Sequence, residues 1–363
     1  MKKRQYIYPL AVISLTVLCG CAITTSPTQK DKNDVTNDLT DREKMDDTTA
    51  YKKLYDPPEG GDQKNIGKII FASDLGSTTN ADYDLYTINP DGTEKTRLTT
   101  VEGFIDHPAW SPEHSRIAYS AHVDEYNTEK IFIMTVDGSE KRQLTFGKSR
   151  DKFPTWSPDG KYIAYIAYTD NTPNLFVLDI YGENQKQLTF VDKGETALWP
   201  TWSPDGSVIG YSYNKAGDEI DFRLRTIRPD GTDMREIISS NDPDVSDHEP
   251  AWSPDGKTLY FLSNRSSQME IWKMDYDKYL QLITTHEEID DKNVNLTQVS
   301  HLASVNVNPD HRPRVSPDGK KIVFYGVGSD WHNIGTNLYI INVDGTGLTN
   351  ITKSIDGNEW PNW

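Results

Sequence analysis

The sequence predicts an all-β protein whose main body is a six-bladed β-propeller closed by its C-terminal strand. Three observations support this fold class: a seven-residue motif recurs along the chain, alternating apolar segments lie between turn residues, and the C-terminal segment repeats only the start of the motif. The composition agrees, because 24 Gly and 20 Pro among 363 residues supply many turns, and 35% hydrophobic residues suffice for a core of short strands.

The motif Pro-x-Trp-Ser-Pro-Asp-Gly sets the number of blades. Its third position falls at Trp110, Trp156, Trp202, Trp252, Val315 and Trp363. Successive copies are 46, 46, 50, 63 and 48 residues apart, and four of these spacings are close to the ~40–45 residues of a four-stranded blade. We attribute the longest spacing to an insertion around Asp275–Asn295 in the fifth blade. The Trp rings are expected to pack between neighbouring blades.

Each repeat unit can be divided into four strands. Pro-x-Trp ends the first strand, and Ser-Pro-Asp-Gly is a four-residue turn in which Pro fixes φ and Gly frees the last position. Runs such as Tyr162–Ile166 and Leu85–Ile88 supply the second and third strands. We place the short fourth strands at Leu98-Thr99, Leu144-Thr145, Leu188-Thr189 and Leu296-Thr297.

The two ends of the repeat region predict how the propeller closes. The first unit begins at Gly67–Phe71 without a Pro-x-Trp strand, and the segment Trp360–Trp363 is such a strand with no blade after it. We therefore expect the C-terminal strand to complete the first blade, which removes the open sheet edge between first and last blade. The propeller is assigned to residues 66–363.

The N-terminal segment has the pattern of an export signal. A basic start, Lys2–Arg4, precedes the apolar run Leu10–Leu18, which is too short to span a membrane of about 30 Å. The sequence Leu-Cys-Gly-Cys ending at Cys21 resembles a bacterial lipobox, which implies cleavage after residue 20 and lipidation of Cys21. Residues 1–20 are thus predicted as a lipoprotein signal peptide. Residues 21–65, rich in Thr, Asp, Lys and Asn, are predicted as a disordered tether.

The repeat resembles the WD-like repeats of the TolB-type β-propeller family over residues 66–363. The resemblance rests on Pro-x-Trp-Ser-Pro-Asp-Gly, the following aliphatic strand, and the Asp-Gly and Leu-Thr pairs. It departs from the family pattern at Glu113-His114, Tyr181-Gly182 and Ile237-Ile238. TolB itself carries a sizeable α/β domain before its propeller, so we expect a family member other than TolB.

The net charge and the motifs present limit the functions that this protein can have. The net charge of −17 argues against nucleic-acid binding, which needs a basic surface. The two cysteines, Cys19 and Cys21, lie in the predicted signal region, so the fold uses neither a disulfide nor a cysteine metal site. No Gly-x-Ser-x-Gly, phosphate-binding loop or His-Glu-x-x-His string occurs. We expect no catalytic residue and no cofactor, with an enzyme as the open alternative.

One set of residues is a candidate site, because the two residues before each motif proline occupy equivalent places around the propeller axis. They are Asp106-His107, Lys152-Phe153, Leu198-Trp199, His248-Glu249, His311-Arg312 and Glu359-Trp360. The binding candidates among them are Asp106, His107, Phe153, Trp199, His248, Glu249, His311, Arg312, Glu359 and Trp360. Such a ring could bind a peptide or glycan, hold a metal through imidazoles and carboxylates, or merely line a wet channel. Acidic loops form a second candidate surface at Asp82–Asp84, Asp124–Tyr126, Asp218–Asp221 and Glu287–Asp291.

These features predict a monomeric cell-envelope lipoprotein that uses its propeller as a non-catalytic scaffold for a protein or peptide. Its lipid on Cys21 would hold it at the outer membrane facing the periplasm, or at the outer leaflet of a single cell membrane. Ala22, which is not Asp, favours outer-membrane sorting in a two-membrane cell. The alternative is a carbohydrate-binding protein or an oligogalacturonate-lyase-like enzyme. Those lyases resemble the same repeat family and use channel histidines with a metal.

Overall fold

The computed structural model describes residues 65–75, 83–100, 104–124, 128–215, 221–238, 242, 244–305, 307–328, 336–353 and 357–363. The predicted signal peptide, Cys21 and the predicted tether up to residue 64 lie outside the described residues. Within the described part, no helix is long and apolar enough to cross a membrane.

The described residues form six antiparallel sheets of four strands each, as the repeats predict. Blade 1 contains β1 (Ile69–Ser73), β2 (Asp84–Ile88) and β3 (Thr96–Arg97). Blade 2 contains β4 (Ile105–Trp110), β5 (Arg116–His122), β6 (Glu129–Thr135) and β7 (Arg142–Gln143). Blade 3 contains β8 (Arg150–Trp156), β9 (Tyr162–Thr169), β10 (Thr172–Asp179) and β11 (Lys186–Gln187). Blade 4 contains β12 (Thr196–Trp202), β13 (Ile209–Asn214), β14 (Phe222–Ile227) and β15 (Arg235–Ile238).

The last two blades and the closing strand follow the same order. Blade 5 contains β16 (Asp247–Trp252), β17 (Thr258–Ser263), β18 (Glu270–Asp275) and β19 (Thr297–Gln298). Blade 6 contains β20 (Val307–Val315), β21 (Lys321–Gly328), β22 (Thr336–Asn342) and β23 (Thr349–Asn350). The strand β24 (Asn358–Asn362) returns to blade 1 and pairs with β1. The first strands of successive blades, β4, β8, β12, β16, β20 and β24, contact one another and therefore surround the axis.

The predicted closure is confirmed by the register of β24 on β1. Ile70 lies opposite Asn362, and Ser73 lies opposite Asn358. The Ser73 hydroxyl also donates a hydrogen bond of 3.1 Å to the Asn358 side-chain oxygen across 285 residues of sequence. Blade 1 is thus built from both ends of the repeat region, and no unpaired edge is left at the inner side of β1.

The hydrophobic core is divided into six clusters, and each cluster lies between two neighbouring blades. The motif tryptophans take part, as predicted. The Trp156 indole of blade 3 donates a hydrogen bond of 3.1 Å to the Ala109 carbonyl of blade 2. The Trp363 indole donates one of 3.0 Å to the Arg314 carbonyl of blade 6. Each ring therefore buries its apolar surface between two sheets while its N–H reaches a backbone acceptor.

The predicted outer strands lie two residues too late in blades 1 to 3 and one residue too early in blade 5. The strand in blade 1 is Thr96–Arg97, and the Leu98-Thr99 pair follows it. The Leu98 N–H donates to the Leu85 carbonyl, and the Thr99 hydroxyl accepts from the Leu85 N–H at 2.9 Å. The Leu-Thr pair is therefore a clamp at the end of the strand. In blade 5 this role belongs to Val299-Ser300 and not to the predicted Leu296-Thr297.

The insertion of blade 5 contains the helix α1 (Tyr276–Thr285). Asp275 caps its start by accepting a hydrogen bond of 3.0 Å from the Lys278 N–H, and His286 ends it in the left-handed conformation. Two of its tyrosines, Tyr276 and Tyr279, are buried against the cluster between blades 4 and 5. The helix thus extends the core of those blades.

The predicted acidic loops are only partly loops. Asp84 is a buried residue of β2 and forms an ion pair with Arg97, so it belongs to the sheet. Residues 287–291 follow α1 and are exposed. Residues 82, 125, 126 and 218–220 lie outside the described part of the chain.

Candidate functional site

The candidate site begins with a repeated irregularity in the strands that surround the axis. Every one of these strands has a shift in pairing register at the residues before the motif proline. A bulge is where a sheet tolerates proline, which has no N–H for the ladder. It also redirects the side chain beside it. The X-Pro step of the motif therefore places one redirected side chain per blade near the axis.

These six redirected residues have positive φ angles although none is glycine. The angles are 51° at His107, 58° at Phe153, 53° at Trp199, 56° at Glu249, 63° at Arg312 and 53° at Trp360. A side chain in this conformation costs on the order of 1 kcal/mol or more and persists only when the surroundings enforce it. The same strain recurs at six equivalent positions of the fold. We call these six residues the axial ring.

Aromatic contacts connect most of the axial ring. The His107 ring lies 4.2 Å from the Phe153 ring and 4.6 Å from the Trp360 ring, measured between centroids. Phe153 lies 6.3 Å from Trp199, which in turn lies 5.5 Å from His248. The contacts run through blades 1 to 5 without interruption.

Arg312 enters this arrangement from blade 6. Its guanidinium carbon lies 5.2 Å from the centroid of Phe153, which belongs to the opposite blade 3. The Arg312 side chain therefore lies across the axis. His107 and Arg312 are each 3% exposed, and Glu249 is 1% exposed, whereas the rings of Phe153, Trp199 and Trp360 are half-buried. At this level the described side chains of the axial ring pack against one another.

A charged network adjoins the ring between blades 2 and 3. The His107 Nδ1 lies 2.8 Å from Asp106 Oδ1, and the Lys152 ammonium lies 3.6 Å from Asp106 Oδ2. Lys152 also pairs with Glu129, which accepts a hydrogen bond of 2.8 Å from Arg150. Two carboxylates and two cations thus neutralise each other here, with His107 at the edge of the network.

Burial and charge fix the protonation states of this network. Burial opposes the charged form of Asp106, but His107 and Lys152 outweigh it and lower the pKa of the carboxyl. Burial likewise opposes the charge of Glu129, yet the hydrogen bond from His122 and the charge of Lys152 lower its pKa to about 2. Burial lowers the pKa of His107 to about 4, so this imidazole is neutral at pH 7.

The side chain of Glu249 supports the neighbouring bulge. Its carboxylate accepts a hydrogen bond from the backbone N–H of Arg312, and its own N–H donates to the Ser212 hydroxyl at 2.8 Å. Ser212 lies on β13, Glu249 on β16 and Arg312 on β20, so this chain of bonds joins blades 4, 5 and 6. An axial-ring carboxylate therefore holds the next blade in place.

The structure places the predicted candidate residues together around the axis, and among them only the side chain of His311 is not described. Glu359 accepts hydrogen bonds of 3.4 Å from Tyr83 and from Thr336. The His311 backbone pairs with Tyr325 in the sheet, but its side chain lies outside what the structure describes. Among the described residues, no group of three or more His, Cys, Asp or Glu is arranged to hold a metal ion.

Sequence reasoning missed several neighbours of the ring. Tyr83 and Phe104 pack against Trp360 at 5.7 and 5.8 Å, and Phe222 packs against Trp199 at 5.2 Å. These three aromatic residues stand directly beside the starts of β2, β4 and β14. The sequence did contain a signal for these neighbours. Each is an aromatic residue at the start of a strand, at the end of the propeller away from the Ser-Pro-Asp-Gly turns.

A closed ring of six WD-like blades, with strained residues at every inner strand, defines the class of this protein as a six-bladed β-propeller. The TolB beta propeller domain model matches residues 113–306, which is more than half of the 363 residues. The chain therefore belongs to the TolB beta propeller domain family. No curated protein sequence matches it at a significant level.

Solved structures share the fold at low sequence identity. TolB from Acinetobacter baumannii is 19% identical with a TM-score of 0.62, and the similarity covers 82% of this chain and 66% of that one. A putative TolB from Agrobacterium tumefaciens is 17% identical with a TM-score of 0.58, covering 79% and 88%. Hydrazine synthase from Kuenenia stuttgartiensis is 13% identical with a TM-score of 0.59, covering 82% and 46%. This chain thus spans slightly less than two thirds of the Acinetobacter TolB chain.

Proposed function

We propose that this protein is a cell-envelope lipoprotein that binds a protein or peptide partner at the axial ring and catalyses no reaction. The observation that carries the proposal is the recurrence of strained, non-glycine residues at six equivalent bulges. Backbone strain of this kind clusters at binding and catalytic sites. Similarity to TolB structures agrees with a scaffold role, although a shared fold does not specify a partner.

The surface around the ring has the properties of an anchor site for a partner. Trp199 and Trp360 keep part of their rings exposed, and tryptophan is enriched at the energetic centre of protein interfaces. Phe190 is 80% exposed and Phe146 is 49% exposed. Both phenylalanines follow a Leu-Thr clamp, on the connections that lead into the inner strands β12 and β8. They stand at the end of the propeller where Tyr83, Phe222 and Phe104 also lie.

Site-specific photocrosslinking in intact cells tests the proposal. A benzoylphenylalanine at position 190 should capture a discrete partner, and the Trp199→Ala change should abolish that product. The matched control is position 234, because Met234 is 55% exposed in the turn between β14 and β15 of blade 4, at the opposite end of the propeller. Capture of the same species from both positions, or of none from position 190, would contradict partner binding at this end.

The cellular location of the protein is a separate part of the proposal. We assign residues 1–20 to a signal peptide, 21–65 to the tether and 66–363 to the propeller. Cys21 carries the lipid that holds a monomeric propeller outside the cytoplasm. The Cys21→Ala variant should leave the membrane fraction, whereas Cys19→Ala should stay in it. Membrane retention of the Cys21→Ala protein after a high-salt wash would refute lipid anchoring.

Glycan binding is the second candidate, and the half-buried indoles of Trp199 and Trp360 favour it because aromatic faces can stack on sugar rings. Titration calorimetry with oligogalacturonate would measure such binding, and product analysis of the same mixture would detect lyase activity. Heat release that Trp360→Ala removes would support this candidate. Absence of binding would leave the protein or peptide partner as the function.

A further inference from the structure

The guanidinium of Arg312 is a buried positive charge whose hydrogen-bonding capacity is not fully used. Among the described residues, no carboxylate oxygen forms an ion pair with it within 4 Å, and its Nε has no hydrogen-bond partner. The residue as a whole is only 3% exposed, so water does not compensate for the missing contacts. The negative charges of Glu249 and Asp106 offset part of the cost of burying this cation. The unpaired Nε–H remains costly, and a bound anion that accepts a hydrogen bond from it would remove that cost.

The neighbouring carboxylates are engaged elsewhere. Asp106 lies against His107 and Lys152, and one oxygen of Glu249 accepts the backbone N–H of Arg312 itself. Burial lowers the pKa of Arg312, but an arginine in a protein keeps its proton. The guanidinium therefore remains charged at neutral pH, and its Nε–H is available to an oxygen atom of a ligand.

We propose that Arg312 binds a carboxylate of the partner that occupies the axial ring. This inference rests on the proposed function and names the chemistry by which that site recognises its ligand. A carboxylate fits better than a phosphate, because the other cations nearby, Lys152 and Arg150, are already paired with Asp106 and Glu129. Arg314, two residues further along β20, already donates a hydrogen bond to the Pro313 carbonyl. The Arg312 guanidinium is thus the cation left for a ligand, which suits a single negative charge. The rings of Phe153 and Trp360 provide an apolar collar that suits the rest of a peptide.

Calorimetric titration of the purified full chain with three matched pentapeptides tests this inference. The first peptide is acetylated and amidated and has Asp at its centre, and the second has Asn in its place. The third has Asn at its centre and a free C-terminal carboxylate, which distinguishes a side-chain source from a terminal one. One of the two carboxylate peptides should bind at least about tenfold more tightly than the neutral peptide, as expected for a charge-assisted hydrogen bond.

Two variants connect that preference with one residue. Arg312→Gln should remove the preference for the carboxylate peptide, and Arg312→Lys should retain only part of it, because lysine lacks the bidentate fork. The control is Arg314→Gln, which removes a positive charge two residues further along β20 and should keep the preference. Thermal unfolding of each variant shows that the propeller is intact. Equal binding of all three peptides, or a preserved preference in Arg312→Gln, would overturn the inference.

Crosslinking from position 190 separates the two proposals. Undiminished capture of the partner in an Arg312→Gln background would show that the partner binds without this contact, which overturns the inference and leaves the proposed function standing. A second outcome is that no partner is captured with the unaltered ring while calorimetry shows a clear carboxylate preference. That result would refute the proposed function and leave the carboxylate site supported. Loss of capture in Arg312→Gln, with Arg314→Gln unaffected, would support both.

Discussion

The ion pair between Lys130 and Asp151 offers a direct test of how the blades are held together. Lys130 lies on β6 of blade 2 and Asp151 on β8 of blade 3. The ammonium and carboxylate are 2.9 Å apart, and both side chains are 1% exposed. Lys130 also donates to the Ser149 carbonyl and, at 3.4 Å, to the Phe146 carbonyl. One buried lysine thus connects two blades through a charge and two backbone acceptors.

The Lys130→Met change should destabilise the protein by about 3–5 kcal/mol. It leaves the Asp151 carboxylate buried without its counter-charge, which is the expensive way to break such a pair. Replacing both residues, as Lys130→Met with Asp151→Leu, should cost clearly less than the single change, because no orphan charge remains. The two effects are therefore expected to be strongly non-additive.

Urea unfolding followed by tryptophan fluorescence measures these differences. The control is Lys161→Met, which removes an ion pair of 3.7 Å whose side chains are 73% and 49% exposed. That change should stay within about 0.5 kcal/mol. A loss below about 1 kcal/mol for Lys130→Met, or a double variant as unstable as the single one, would refute the assignment of a dominant role to the buried charge pair.

Two further predictions concern backbone strain and pH. Gly345→Ala should destabilise blade 6 by more than 2 kcal/mol, because a Cβ at this position (φ 87°) would overlap the Val299 carbonyl oxygen. Gly147→Ala, at φ 89° with open space around it, should cost only about 1 kcal/mol when both are compared by urea unfolding. The His107→Asn variant should lose less stability than the natural protein when the pH falls from about 6.5 to about 4. Burial lowers the pKa of His107 from 6.5 to about 4, so over this interval the unfolded chain binds a proton that the folded protein does not.

The controls for these two predictions come from the same experiments. Equal losses for the two glycine variants would mean that blade 6 shifts to accommodate the new Cβ. For the pH series, the comparison uses the slope of unfolding free energy against pH, because other histidines titrate in the unfolded chain as well. The stability that Glu129 contributes is lost mainly below pH 4.5, because its pKa falls from 4.5 to about 2, so the slopes are compared above that pH. Identical slopes above pH 4.5 for both proteins would contradict a neutral, buried His107.

The blade count was readable from the sequence because each blade carries its own copy of a motif with a large ring and a rigid turn. The outer strands were misplaced for a physical reason. The Thr99 hydroxyl accepts a hydrogen bond from the Leu85 backbone, so the Leu-Thr pair is fixed to the sheet although it lies beyond the strand. In the sequence such a pair has the same alternating pattern as strand residues. The insertion of blade 5 was located, but its helix was not predicted. Its Asp275 cap was the signal available in the sequence.

The candidate site was predictable in its membership and not in its contacts. Equivalent positions in a repeat protein meet at the axis, so the X-Pro register was enough to group the six ring residues. Which residue a long side chain contacts across the axis depends on the radius of the ring and on the angle of the bulge. The spacing of the motifs in the sequence specifies neither quantity. Hence the approach of Arg312 to Phe153, and the pairing of Lys152 with Asp106 and Glu129, emerge only from the structure.

The pairing of β24 with β1 has a consequence for how the chain reaches its native state. These strands are separated by 285 residues at the Ser73–Asn358 contact, so their meeting requires the largest loop closure in the propeller. Contacts of such long range form late and slowly, and β1 keeps an open edge until then. A second copy of the chain could supply its own β24 to that edge, so strand exchange at blade 1 is the expected route to misassembly when folding is slow or concentration is high.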